Sequence, residues 1–199
     1  MSDIISITNR KLCREDFAVC IEKIAAAHPK AIILREKDLT AREYKNLAAE
    51  VIGICENHGV PCILHSFTDV AVELGCDKIH LPLGILKNLS ENDKKHFSVI
   101  GASCHSAEDA SLAEKLGCSY ITAGHIFDTD CKKGLPGRGL NFLSDVCKSV
   151  KIPVFAIGGV TAQNFRDVMN VGAKGVCIMS GLMTAEDPKK FTEEFEYAK

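Results

Sequence analysis

A chain of 199 residues with a formal charge of −2 is long enough to bury one substantial core and too short to need dividing, and eightfold β/α barrels run from roughly 200 residues upward. Acidic and basic residues alternate along the helical stretches without a basic stripe, which argues against a nucleic-acid partner. No apolar run approaches the ~20 residues of a membrane span, and the N-terminus lacks the apolar centre of a signal peptide, so a cytoplasmic location away from membranes is expected.

In chain order, short β-branched runs recur at 4–7, 31–35, 62–65, 78–81, 98–102, 119–123, 154–157 and 175–179, which makes eight strand candidates. They read as continuous apolar runs, the pattern of strands buried on both faces of a parallel sheet. Amphipathic stretches separate them. Thr40 with Glu43 and Ser106 with Asp109 resemble capping boxes, and Ser144 and Thr161 offer hydroxyls near helix starts. The first connection, from Thr8 to Phe17, shows few helix signals before Ala18. The segments Leu74-Gly75-Cys76, Leu116-Gly117-Cys118 and Val171-Gly172-Ala173 share one grammar, in which a helix ends on a left-handed glycine and the next strand follows. Eight such units, with no Gly-x-Gly-x-x-Gly after the first strand, predict one (β/α)8 TIM barrel spanning residues 1–199 and disfavour an open doubly wound sheet. The ten cysteines sit mostly among apolar residues, with no Cys-x-x-Cys pair and no zinc spacing, so they read as reduced core residues; Cys131 alone is borne on a loop.

Barrels place their sites on the loops after the strands, and those after strands seven and eight usually hold phosphate. Here they begin Ile157-Gly158-Gly159 and Met179-Ser180-Gly181, small residues that let main-chain amides approach an anion. Arg35 and Lys37 fall on one side of the second strand's end and Glu36 on the other, so the two cations can converge on a substrate anion. Ser103 lies at the end of the fifth strand. His65, His80, His105 and His125 stand at neighbouring strand ends, and imidazole is the natural proton carrier near neutral pH. Of these His125 is the strongest catalytic candidate. Its loop, 124–140, also carries Asp130, Lys132, Lys133 and Arg138, and a cationic loop of this kind can close over a phosphorylated ligand.

Leu34-Arg35-Glu36-Lys37, Thr68-Asp69-Val70-Ala71, Ile79-His80-Leu81, Ile100-Gly101-Ala102-Ser103-Cys104-His105-Ser106, Phe127-x-Thr129-x-x-Lys132 and Ala156-Ile157-Gly158-Gly159-Val160 together resemble the thiamine-phosphate synthase/TenI superfamily almost end to end. The resemblance implies a (β/α)8 barrel that binds a phosphorylated thiazole. Synthases of the superfamily join a pyrimidine diphosphate to a thiazole phosphate with Mg²⁺, held by aspartates in an Asn-Asp pair after the third strand and a Gly-Gln-x-Asp after the fourth. This chain reads His65-Ser66-Phe67 and Pro82-Leu83-Gly84-Ile85 there, so both carboxylates are missing. The stretch from Gly124 to Gly134 resembles the TenI branch instead, in which His125 would move a proton to aromatise a thiazole carboxylate phosphate. The expectation is therefore an isomerase, a thiazole tautomerase of thiamine biosynthesis, without metal or organic cofactor. Its substrate anions would be held by Arg35, Lys37, Ser103, Lys132, Gly158, Gly159, Ser180 and Gly181. Thiamine-phosphate synthase activity and a non-catalytic regulator that binds thiazole phosphate stand as alternatives, and a homo-oligomer is left open.

Overall fold

The computed structural model describes residues 4–129, 132 and 134–197. Eight strands follow one another around a closed parallel ring: β1 (Ile4–Ile7), β2 (Ala31–Leu34), β3 (Cys62–His65), β4 (Lys78–Pro82), β5 (Val99–Cys104), β6 (Tyr120–Gly124), β7 (Val154–Ile157) and β8 (Gly175–Ile178). The ring closes where Ser6 of β1 pairs with Ile178 of β8. Around it run α1 (Phe17–Ala26), α2 (Ala41–Asn57), α3 (Thr68–Glu73), α4 (Leu83–Asn88), α5 (Glu91–Lys94), α6 (Ala107–Lys115), α7 (Gly139–Ser149), α8 (Ala162–Asn170), α9 (Ser180–Met183) and α10 (Pro188–Tyr197).

Both faces of each strand are buried, which is why the sequence shows apolar runs and no alternation. Ile5, Ile7, Ile33, Ile63, Tyr120 and Phe155 fill the barrel interior. Ile4, Ile32, Leu64, Ile79, Ile121 and Val176 face outward into the layer beneath the helices. Gly75, Gly117 and Gly172 all take positive φ, 67°, 90° and 106°, as the repeated helix-end grammar requires.

Thr40 and Glu43 form the expected capping box at α2, and the Ser106 hydroxyl accepts from the Asp109 amide at α6. The first unit is better specified than the sequence suggests. A 3₁₀ turn at Arg10–Leu12 precedes α1, and the Asp16 carboxylate caps that helix by accepting from the amides of Ala18 and Val19. Ser144 does not start a helix. It lies inside α7, which begins at Gly139, where a φ of 81° and a 2.8 Å bond from the Gly139 amide to the Ile126 carbonyl turn the chain. The nine described cysteines are free thiols. Among the described residues no helix is long and apolar enough to cross a membrane.

Candidate functional site

The C-terminal strand ends gather the polar residues that the barrel interior cannot hold. Just past β2, Glu36 is buried, with 2% of its surface exposed, and its carboxylate is fully engaged: Thr8 Oγ1 donates at 2.7 Å and the Arg10 amide and Nη1 each at 3.0 Å. Thr8 Oγ1 in turn accepts from the Arg35 amide at 2.9 Å. Arg10 continues to Asp38 at 2.6 and 2.8 Å, and this pairing holds the Asp38 carboxyl well below the usual carboxylate range. The clamp ties the β1 and β2 ends together through Glu36.

Partial burial lowers the proton affinity of Lys37, and the charges of Arg35 and Lys132 lower it further. Three cations therefore share one field at the mouth, and among the described residues none of them forms an ion pair. Crowded cations without carboxylate partners form a place for an anion.

Two histidines line the interior beneath them. The His65 and His80 rings stack at 5.9 Å between centroids. His65 Nδ1 lies 2.8 Å from Ser66 Oγ, and His80 lies between Ser103 Oγ at 2.9 Å and the Tyr120 hydroxyl at 3.0 Å. Burial pushes both imidazoles down to about 3; nearby charge adds to this, from His80, Arg35 and Lys37 at His65 and from Arg35 at His80. They are neutral hydrogen-bonding groups at ordinary pH. Tyr44 braces this wall from α2, its hydroxyl donating to the Leu34 carbonyl at 2.6 Å and accepting from the His65 amide at 2.9 Å.

Two strands on from β4, His125 holds the loop that follows β6. Its Nε2 lies 3.0 Å from the Pro136 carbonyl and 3.2 Å from the Leu135 carbonyl, the bond lengths of a ring N–H shared between two acceptors. Arg138, expected among the loop cations, gives Nη1 to the His105 carbonyl at 2.7 Å and packs 5.1 Å from the centre of the Phe142 ring. Gly158 and Gly159 have φ of 98° and 64°, and side chains there would collide with His125 and with Asp128 and Phe127. Gly181 is needed for packing as well, since a Cβ would meet the Phe191 ring at 2.6 Å. Beside this loop opens a cavity of about 830 Å³, whose lining includes Leu12, Asp128, Thr129, Lys132, Pro136 and Ser180. The structure thus brings Lys132 and Ser180 together in one cavity; Asp130, Cys131 and Lys133 lie outside the described residues.

The residues present do not fit a protein-held Mg²⁺. A hard cation wants carboxylate oxygen, whereas the β3 and β4 ends offer neutral imidazoles, a serine and apolar side chains, and Glu36 is committed to Thr8 and Arg10. No group of three metal-ligating side chains occurs among the described residues.

Tyr120, Tyr44 and the Thr8–Glu36–Arg10 clamp escaped the reading of the sequence. The one available signal for Tyr120 was a tyrosine in an apolar strand, where a buried hydroxyl needs a partner.

A family model described as thiamine monophosphate synthase matches residues 4–182. The thiamine-phosphate synthase of Fusobacterium nucleatum is 35% identical over 193 residues, covering 96% of this chain and 93% of that protein. The thiamine-phosphate synthase of Clostridium acetobutylicum is 31% identical, covering 92% and 88%. Among solved structures, a thiamine phosphate pyrophosphorylase from Pyrococcus furiosus superposes with a TM-score of 0.83 at 30% identity, covering 98% of this chain and 94% of that one. The two sequence relatives are named as synthases, which are transferases, and that corrects the expectation of an isomerase: the 124–134 motif describes one loop, whereas the similarity runs through the whole chain. The chain belongs to the thiamine monophosphate synthase family.

Proposed function

We propose that this barrel is a thiamine-phosphate synthase: it binds a thiazole phosphate and a pyrimidine diphosphate, and diphosphate leaves as the two rings are joined. The observation that carries this reading is the set of three cations, Arg35, Lys37 and Lys132, sharing one field without an ion-pair partner among the described residues. A departing diphosphate gathers negative charge in the transition state, and positioned cations at a partly desolvated mouth stabilise it there more than in the ground state. The thiazole phosphate is held by the amides of Gly158, Gly159 and Gly181 with the Ser180 hydroxyl, and Ser103 contacts the second anion. His125 orders the loop that covers both, and Lys132 comes with that loop.

The test is formation of thiamine phosphate from the two phosphorylated precursors in the presence of Mg²⁺, with Lys37→Ala as comparison. Product should appear with one diphosphate released per turnover, and the variant should lose about 10²–10³-fold in kcat/KM. No turnover by the wild-type chain would overturn the transferase reading.

A second reading, a binding protein that takes up thiazole phosphate without transfer, is favoured by one observation: neither the β3 nor the β4 end carries the carboxylates that synthases use. Tight thiazole phosphate binding together with absent turnover would select it.

A further inference from the structure

Tyr120, His80 and Ser103 form a hydrogen-bonded row running from the floor of the barrel to its mouth. Tyr120 comes from β6 and crosses the interior over Gly101, where any side chain would fall inside the tyrosine ring. That gap lets its hydroxyl reach His80 Nδ1 at 3.0 Å, with Phe155 packed edge-on against it at 5.8 Å. His80 Nε2 lies 2.9 Å from Ser103 Oγ, which belongs to the next layer up on β5 and is partly open to solvent.

We propose that Tyr120 and His80 are positioning residues that set the direction of this row, so that the Ser103 hydroxyl always offers its hydrogen to an acceptor-only oxygen of phosphate or diphosphate type in the mouth. A tyrosine hydroxyl has one hydrogen to give, and among the described residues the acceptor in reach of Tyr120 is His80 Nδ1. Nδ1 therefore carries no proton. His80 is neutral, as its burial and the charge of Arg35 dictate, so its single ring proton is on Nε2 and is donated to Ser103 Oγ. Ser103 cannot return a hydrogen to a nitrogen that is already donating, so its own hydrogen turns to the mouth.

The reverse direction would strand the Tyr120 hydrogen among apolar side chains. An unsatisfied buried hydroxyl costs roughly 5- to 150-fold in population, which decides the direction. A hydroxyl fixed as donor welcomes a phosphoryl oxygen, which can only accept, and is mismatched to an N–H or O–H group on a ligand. The ligand half of this inference rests on the proposed anion site. The direction of the row does not.

Two measurements separate these halves. In the ligand-free full chain with ¹⁵N-labelled histidine, NMR should find His80 protonated on Nε2 and bare on Nδ1 from pH 5 to 8; a proton on Nδ1 overturns the relay whether or not any anion binds. Calorimetry with inorganic pyrophosphate should then show Ser103→Ala binding about tenfold more weakly, the loss of one charge-assisted hydrogen bond, and Ser103→Thr near wild type. Tyr120→Phe, which leaves the ring in place and touches no ligand, should weaken binding several-fold, and the double variant Tyr120→Phe with Ser103→Ala should be no weaker than Ser103→Ala alone. Wild-type affinity in Tyr120→Phe, or losses that multiply in the double variant, would overturn the positioning role. Absence of pyrophosphate binding to the wild-type chain would overturn the ligand assignment and the transferase reading with it, while the NMR result still decides the relay.

Discussion

His125 is conspicuous in the sequence, and the hydrogen bonds the structure gives its ring run to its own loop. Its Nε2 is within hydrogen-bonding distance of two carbonyls of the loop that borders the cavity, so the imidazole closes a ten-residue excursion onto the β6 end. His125→Ala removes that closure and leaves both carbonyls free to find water. The expected cost is about 1 kcal/mol, or a drop of roughly 2–4 °C in Tm for a chain of this size. Hydrogen exchange should show the effect concentrated at residues 134–138, with the barrel strands unchanged. Uniform loss of protection would contradict a local clasp.

At the scale of elements, the glycines divide into two kinds. Gly75 sits at φ 67° with open space around it, so Gly75→Ala meets only the left-handed backbone penalty of about 1 kcal/mol. Gly158 combines φ 98° with packing against the His125 backbone, so Gly158→Ala must also displace the β6 loop, for roughly 2–4 kcal/mol in all, and anion binding should fall with it. Thermal melts of the two variants side by side check the contrast.

Both glycines were visible in the sequence as punctuation, and the strand positions were visible because apolar runs follow from double-sided burial. The Asp16 cap was obscured by Arg10–Leu12, a 3₁₀ turn that interrupts the helical spacing before Phe17. The Tyr120 row was hidden for a different reason. Which residues of β5 and β6 face each other depends on register, and the pairing of Gly101 with Tyr120 exists only once the ring has closed. The partners that hold Glu36 come from the end of β1 and its following turn, far away in the chain, and spacing around Glu36 gives no sign of them. The 124–134 motif was legible too, yet a loop motif describes a loop, and the activity expected from it gave way to the similarity that runs through the whole chain.

At the scale of the whole molecule, the buried His65 and His80 make stability depend on pH. Burial pushes both down to about 3 in the folded state, so the unfolded chain takes up protons first as the solution is acidified. Their contribution is complete above about pH 6.5 and is lost as the pH falls from there towards 3, by up to about 1.4 kcal/mol per pH unit for each histidine. Denaturant midpoints should therefore drop between pH 7 and pH 5 in the wild-type chain, and the drop should shrink in a His65→Asn, His80→Gln variant. An equal slope in both proteins would mean that these rings are protonated in the native state.

The same barrel mouth is asked to hold two anions, one against the amides of the β7 and β8 loops and one among side-chain cations. A crystal structure of the chain with thiazole phosphate and pyrophosphate tests this most directly. The thiazole phosphate group should lie against Gly158, Gly159 and Ser180, and the pyrophosphate between Arg35 and Lys37 with the Ser103 hydroxyl pointing to it. Either anion bound at the opposite rim of the barrel, or a magnesium ion clasped by protein carboxylates, would contradict the account.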